Sequence, residues 1–116
     1  MIIIVSEYIK DVIISAINSR RLISFEYINA NDMIKRHRIG EPHALFNHNT
    51  TKNLTVDVYQ TGGYSSSTSN IDDWRDFILD RMSNVIILED RFEPRPSYNP
   101  NSDRYKNCLA KIDISQ

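Results

Sequence analysis

The fold of this chain depends on the stretch Trp74-Arg75-Asp76-Phe77-Ile78-Leu79-Asp80-Arg81-Met82, where charged residues interrupt apolar ones. As a helix, the stretch has apolar residues near a 3.6-residue period and Asp72 as an N-cap, but it places Arg81 on the apolar face. As a strand, it has side chains that alternate between two faces. One face would then carry two cations and an apolar pair: Arg75, Phe77, Leu79 and Arg81. Periodicity alone slightly favours the helix, and we choose the strand because of a family resemblance described below.

The composition is ordinary for one soluble globular domain. The chain has 116 residues, of which 41% are hydrophobic and 25% charged, and its formal net charge is -1. Without a global basic field, any contact with nucleic acid would need a local patch. The single Cys108 excludes an intramolecular disulfide and cannot by itself form a zinc site. Met1–Val5 is apolar but too short for a signal peptide or membrane span. We therefore expect a cytoplasmic protein without cofactor or metal.

The N-terminal part of the chain predicts one amphipathic helix over residues 6–21. Ser6 can cap its first turn, and the arginine pair Arg20-Arg21 suits the negative end of its dipole. One stripe of the helix is apolar, as its residues follow the i, i+3, i+4, i+7, i+8 pattern: Ile9, Val12, Ile13, Ala16 and Ile17.

Most of the remaining chain reads as short strands. Leu22–Ile28 and Leu54–Gln60 alternate between apolar and polar residues, which is typical of strands with one covered face. Met33–Phe46 is a second strand, and its Gly40-Glu41-Pro42 predicts a bulge or bend. Val85–Leu88 is a short apolar run, consistent with a buried strand. With the central stretch these make about five strands, which close most easily as a small bent barrel capped by the helix.

The fold class is therefore α+β and mainly β. We expect a single domain over residues 1–116, with the helix over 6–21, the barrel over 22–93 and an irregular tail over 94–116. The prolines Pro94, Pro96 and Pro100 favour an irregular or extended start to this tail. We expect the tail to pack on the barrel.

The basic run Lys35-Arg36-His37-Arg38 lies within the second strand. Alternation places Lys35 and His37 on one side and Arg36 and Arg38 on the other. The run fits a charged edge strand that resists aggregation, and it also fits a patch that contacts phosphates. We favour the edge strand, because basic residues are common on solvated faces of net-acidic chains.

Several motifs in this order resemble the WYL domain, a ligand-sensing module found mostly in bacterial transcription regulators. The resemblance covers residues 6–94, and its most specific part is the central stretch, which is similar to the family's Arg-x-Phe-x-Leu-Asp-Arg-Ile strand. Three further segments carry it: Arg20-Arg21-Leu22-Ile23-Ser24-Phe25-Glu26-Tyr27, Arg38-Ile39-Gly40-Glu41-Pro42-His43-Ala44-Leu45 and Leu54-Thr55-Val56-Asp57-Val58-Tyr59. Leu54-Thr55-Val56 stands where the eponymous Trp-Tyr-Leu falls, and we expect a free-standing, divergent copy without a preceding DNA-binding region.

This resemblance implies an Sm-like five-stranded barrel with a positively charged groove for a nucleotide-like or nucleic-acid ligand. Carried over by motif position, the anion contacts are Arg75 and Arg81, with Tyr59 beside them and His43 as a weaker candidate. Arginine forks match phosphate oxygens, and an aromatic ring offers a stacking face for a base. For Arg81, a surface salt bridge with a nearby carboxylate is an equally good interpretation.

The residues do not predict an enzyme. The three histidines lack metalloprotease spacing, Cys108 has no evident activating partner, and no nucleophile elbow is present. We predict a non-enzymatic regulatory domain that senses a nucleotide or short single-stranded nucleic acid. It would pass the signal to an effector protein or a second copy, and we expect a role in transcriptional regulation. The alternative is a protein-interaction or homodimerisation module that uses Met1–Val5 and open strand edges.

Overall fold

A computed structural model describes residues 5–64 and 72–114. The apolar segment Met1–Val5 lies outside the described residues except for Val5, and so does most of the Gly-Ser loop at 61–70. Helix α1 spans Val5–Ser19, and short 3-10 helices occupy Leu79–Arg81 and Asp103–Tyr105. The strands are β1 Arg21–Ile28, β2 Lys35–Asn47, β3 Leu54–Gly63, β4 Asp73–Ile78, β5 Met82–Arg91 and β6 Cys108–Lys111.

One antiparallel sheet joins all six strands, in the order β4-β3-β2-β1-β5, with β6 pairing β2. The fold is therefore α+β and mainly β. The sequence predicted about five strands, and the additional one is β6 in the tail. Within residues 5–64 and 72–114 the end strands β4 and β5 do not pair with each other, so the sheet is not closed and the expected barrel is not shown.

Strand β2 bends in the middle, as the Gly40-Glu41-Pro42 signal predicted. Its pairing with β3 shifts register between Ile39 and Gly40 and again between Pro42 and Ala44. A Cβ at Gly40 would collide with the Val58 side chain, so only glycine allows this approach of the strands. The bend lets the first half of β2 pair with β1 and the second half with β6.

Strand β2 is thus a central strand, and the prediction that its basic run forms an edge strand was wrong. Arg38 opposes Phe25 of β1 on one side and Gly63 of β3 on the other. The predicted alternation is present, since Lys35 and His37 are exposed whereas Arg38 is only 2% exposed.

Helix α1 packs its apolar stripe against β5, β2 and β6. Ile9, Ile13, Ala16 and Ile17 are buried, and Val12 is half-buried beside them. The helix ends at Ser19, two residues before the predicted end. Arg20 then adopts φ 54°, and Arg21 already belongs to β1, where its Nε donates to the Leu88 carbonyl at 2.7 Å. No helix in the described part of the chain has the length and apolar character needed to cross a bilayer.

The tail over residues 92–114 packs on the sheet, and its buried side chains belong to the same core cluster as those of the strands and helix α1. Three of its aromatic residues are buried, namely Phe92, Tyr98 and Tyr105, and so is Ile112. Strand β6 pairs Ala44–Phe46 of β2, and the backbone N–H of Ile112 donates to the His43 carbonyl at 2.9 Å. Because of this cover, β3 is buried on both faces and not on one as its alternation predicted.

Candidate functional site

Strands β3 and β4 present different residues on their two faces. Cross-strand partners in an antiparallel pair share a face. Tyr59 opposes Trp74 and Asp57 opposes Asp76, and all four lie on the side of the tail. Val58 opposes Arg75 and Val56 opposes Phe77, and these lie on the other side, where Phe77 packs edge-on against Phe25 and Tyr27.

A hollow of about 440 Å³ lies between strand β4 and the tail. It combines aromatic rings with cationic and anionic groups, which suits a ligand with both a flat ring and charged substituents. The lining residues come from β3, β4 and the tail: Asp57, Trp74, Arg75, Asp76, Ser97, Tyr98, Asn99, Ser102, Arg104 and Tyr105. We call this feature the β4 hollow.

Trp74 forms one wall of the β4 hollow and is half-buried. Its indole N–H donates to Ser97 Oγ at 2.8 Å, which ties β4 to the tail. The ring meets His43 and Tyr59 edge to face, with centroids 4.6 and 5.5 Å away. These contacts fix the orientation of the indole, so that the hollow is preformed on this side.

Arg104 forms another wall and is held by Asp57. Its Nε donates to Asp57 Oδ2 at 2.7 Å and its Nη2 to Oδ1 at 2.9 Å, while the Tyr105 hydroxyl donates to Oδ2 at 2.8 Å. The hydrogen bond to Asp57 raises the pKa of Arg104, and burial together with the Asp57 charge raises the pKa of Tyr105. Asp57 therefore neutralises Arg104 within the protein. Asp76 adds a longer contact of 3.4 Å from the exposed side.

The two predicted anion contacts do not share a strand face. Arg75 lies in β4 and is among the residues that line the hollow, although the alternation of the strand directs its side chain to the face opposite Trp74. Strand β4 ends at Ile78, and Arg81 lies on the 3-10 helix that follows and does not belong to the lining of the hollow. The extended interpretation of residues 74–82 was correct for residues 74–78 and for Met82, which begins β5, and wrong for the 3-10 helix Leu79–Arg81.

The other two predicted residues support the hollow from behind. The Arg95 guanidinium lies 4.0 Å from the centre of the Tyr59 ring, and the Tyr59 hydroxyl donates to the Asp72 carbonyl at 3.2 Å. His43 is fully buried and touches the rings of Trp74, Phe92 and Tyr98. In this arrangement Trp74 offers its ring to the hollow, and Tyr59 and His43 position Trp74.

Both ring nitrogens of His43 are engaged. Nε2 accepts from the Arg95 backbone N–H at 3.2 Å, so the proton is on Nδ1 and donates to the Glu41 carbonyl at 2.8 Å. Burial lowers the pKa of this imidazole to about 4, which keeps it neutral. Among the described residues no group of three or more His, Cys, Asp or Glu side chains is placed to hold a metal ion.

Sequence reasoning missed the tail's share of the site. Arg104, Tyr98 and Tyr105 reach the hollow from 18 or more residues after the end of β4, and no periodic pattern connects them to it. The available signal was compositional. Two tyrosines and two arginines in a proline-rich segment are unusual for a tail that has no packing role.

Comparison with known proteins gives a fold relationship. No family model matches the sequence, and no curated protein matches it. Among solved structures, proteasome accessory factor B/C (PafBC) of Arthrobacter aurescens matches with a TM-score of 0.67 at 20% identity. The match covers 84% of this chain and 14% of the PafBC chain. At this level of identity the similarity shows that the two chains share a fold over the matched region.

Proposed function

We propose that this chain is a non-enzymatic, ligand-sensing regulatory domain that binds a nucleotide or a short single-stranded nucleic acid in the β4 hollow. The similarity to PafBC, a regulator with a WYL domain, is consistent with a regulatory role. The motif resemblance to WYL domains points the same way. A role in transcriptional regulation, with an effector protein or a second copy as the receiver of the signal, belongs to the same proposal.

The observation that carries the proposal is the placement of Trp74 and Arg75 in one hollow. A nucleotide has a flat base and an anionic phosphate. Trp74 supplies a ring face on the side of the tail, and we infer that Arg75, the next residue along this end strand, reaches the phosphate from the opposite face. Base stacking on an aromatic side chain contributes roughly 1–3 kcal/mol, and arginine binds phosphate oxygens bidentately. The volume of about 440 Å³ is in the usual range for small-molecule sites.

The surroundings of the hollow favour binding over catalysis. His43 has both ring nitrogens in hydrogen bonds and no exposed surface, which does not suit a proton shuttle. Asp57 uses both carboxylate oxygens to hold Arg104 and Tyr105, which does not suit a general base. These groups act as supports that keep the walls in place.

The test is a titration of a fluorescently labelled short oligonucleotide and of mononucleotides at two salt concentrations. We expect Arg75→Ala to weaken binding about tenfold or more, because hydrogen bonds between charged partners contribute roughly 1.5–3 kcal/mol. The loss should shrink at high salt. Arg81→Ala is the matched control: the same residue type lies six positions away, outside the hollow, and should leave affinity unchanged.

A second pair of variants separates the ring from the charge. Trp74→Leu removes the stacking face and should weaken binding of the oligonucleotide, whereas Trp74→Phe retains an aromatic ring and should retain most of the affinity. No binding by the wild-type protein would refute the proposal. Equal loss in the Arg75→Ala and Arg81→Ala variants would also refute it, because the hollow would then not be the site.

A further inference from the structure

We propose that Arg36 and Arg38 form a second site, separate from the β4 hollow, that binds a phosphate-bearing anion beneath Tyr64. This site lies where the end of β1, the start of β2 and the end of β3 meet. The site is independent of the function proposed for the hollow and rests on the burial and the hydrogen-bond partners of the two arginines.

The basic side chains at the start of β2 point to two opposite faces of the strand. Lys35 and His37 point to solvent, so Arg36 and Arg38 share the opposite face of β2. Arg38 is 2% exposed and lies against the rings of Tyr27 and Phe77, with its guanidinium carbon 5.7 and 5.2 Å from their centroids. A strand that is paired on both sides thus directs a cation into the interior of the molecule.

The Arg38 guanidinium contacts two neutral acceptors. Nη2 donates to Asn29 Oδ1 at 3.1 Å, and Nη1 makes a long contact to Gln60 Oε1 at 3.4 Å. Nε is buried and has no acceptor among the residues that the structure describes. Within the part of the chain that the structure describes, no carboxylate forms an ion pair with Arg38. A buried cation that has only neutral acceptors is costly, and natural proteins normally pair it.

The neighbouring charges make this cost larger. Burial lowers the pKa of Arg38, and the positive charges of Arg75 and Arg36 lower it further. Arg36 has one carboxylate partner, Asp32, which accepts from Nη2 at 2.8 Å, and its Nη1 is buried without an acceptor. An anion that accepts from Arg36 Nη1 and Arg38 Nε would satisfy both donors and offset the repulsion between the cations.

Tyr64 gives the site its outer wall. Its ring lies 4.2 Å from the Arg36 guanidinium and 5.3 Å from that of Arg38, and 38% of Tyr64 is exposed. The Tyr64 backbone N–H donates to the His37 carbonyl at 2.8 Å, and its carbonyl accepts from Gln60 Nε2 at 2.6 Å. These bonds fix the Tyr64 backbone beside β2, and its partly exposed ring lies over both guanidinium groups.

Two guanidinium groups behind one ring match a phosphate group better than a carboxylate. Phosphate offers three or more acceptor oxygens and up to two negative charges, and planar guanidinium groups bind it through paired N–H donors. The source of the phosphate, free or carried by a nucleotide, is a separate question that the same experiment answers.

The experiment measures thermal unfolding of the full chain in sodium phosphate and in sodium chloride of equal ionic strength. We expect phosphate to raise the wild-type Tm by about 4 °C or more above chloride at concentrations well above Kd. Arg38→Met and Arg36→Gln should each lose most of this increment. Lys35→Met, an exposed neighbour on the same strand, should keep it.

Arg38→Met also has an expected effect without ligand. Removing a buried cation that lacks a carboxylate should leave the Tm in chloride unchanged or higher. If the variant instead fails to fold, Arg36→Gln at the half-buried position still tests the site. An absent phosphate increment in the wild type would overturn the proposal, and so would an increment retained in both arginine variants.

Two further arms locate the site and its ligand. Trp74→Leu, which alters the β4 hollow, should retain the phosphate increment, so failure of one proposal is distinguishable from failure of the other. Loss of the increment in Trp74→Leu alone would overturn the second site. If a nucleoside monophosphate raises the Tm as much as inorganic phosphate does, the ligand of the site is the phosphate group alone. If it raises the Tm further, the ligand is a nucleotide.

Discussion

At the scale of single residues, His43 shows how a polar side chain serves as part of the core. The imidazole fills the space between Trp74, Phe92 and Tyr98, and its two hydrogen bonds join the Glu41 carbonyl to the Arg95 backbone N–H. Only the neutral form can accept at Nε2. Protonation would turn that acceptor into a donor facing another donor, in a site without water access.

His43 should therefore make stability depend on pH. Its pKa is about 4 in the folded protein and 6.5 ordinarily, so the unfolded chain binds more protons between these values. The stability that the neutral imidazole contributes is fully present above about pH 6.5 and is lost as pH falls. At pH 4 the accumulated loss in the free energy of unfolding is roughly 3 kcal/mol. Urea denaturation at pH 7.0, 6.0, 5.0 and 4.5 measures it.

The control for this prediction is another histidine on the same strand. His43→Gln should flatten the pH dependence between 6.5 and 4.5, whereas His37→Gln, at an exposed position, should leave it as in the wild type. If the free energy of unfolding of His43→Gln depends on pH as steeply as that of the wild type, other groups cause the dependence. That result would contradict the claim that His43 is neutral and buried in the folded protein.

At the scale of elements, the tail is attached to the sheet by two bidentate ion pairs. Arg95 donates from Nε and Nη2 to the Glu41 carboxylate at 2.7 and 2.9 Å, and Arg104 binds Asp57 in the same way. Both carboxylates have side chains only 8% exposed and lie on paired strands. Such fixed acceptors give an irregular segment a defined position over β3 and β4.

Asp57→Asn should test this attachment. The substitution keeps the volume but removes the charge that pairs with Arg104 and one acceptor that serves Tyr105, so we expect the free energy of unfolding to fall by about 2 kcal/mol. Asp76→Asn alters an exposed carboxylate that meets Arg104 at 3.4 Å, and should cost less than about 0.5 kcal/mol. Chemical denaturation compares the two variants. Equal losses in the free energy of unfolding would contradict the role of Asp57 in attaching the tail.

The end of β4 is the element that sequence patterns describe least well. Leu79-Asp80-Arg81 contains no glycine, proline or asparagine, and Asp80 is its single residue of a type that favours turns. Tertiary contacts end the strand here: the Ile78 backbone N–H donates to the Tyr27 hydroxyl at 3.1 Å, and Leu79 is buried in the core. The 3-10 turn that follows carries Arg81 away from the face of Arg75.

At the scale of the whole molecule, the tail completes the core. Phe92, Tyr98, Tyr105 and Ile112 cover apolar surface on β2 and β3, and β6 pairs backbone groups of β2 that would otherwise be open. An open, apolar strand edge favours association with other chains. The packing of the tail therefore bears on solubility as well as on the β4 hollow.

A chain that ends after Arg91 should lose its cooperative unfolding transition and form aggregates, because buried aromatic side chains and the partner of β2 are removed together. A chain that ends after Ile114 keeps these contacts and is the control. Circular dichroism melting and light scattering measure the outcome. A monomeric, cooperatively folding chain without residues 92–114 would show that the tail is dispensable.

The sequence by itself determined the elements whose signals are local. The apolar stripe of α1, the alternation of β1 and the bend at Gly40-Glu41-Pro42 follow from spacing and from backbone chemistry within a few residues. These signals are reliable because they reflect which side chains share a face. The same reasoning correctly separated Arg36 and Arg38 from Lys35 and His37.

Only the tertiary structure decided what those faces meet. It made β2 a central strand, so that Arg38 became buried, and it ended β4 before Arg81, so that Arg81 lies outside the hollow that Trp74, Arg75 and the tail's Arg104 line. The physical reason is that burial, ion pairing and strand order depend on contacts between residues far apart in the chain. In this protein Asp57 pairs with Arg104, which lies 47 residues later in the chain, and the periodicity of neither segment predicts that pairing.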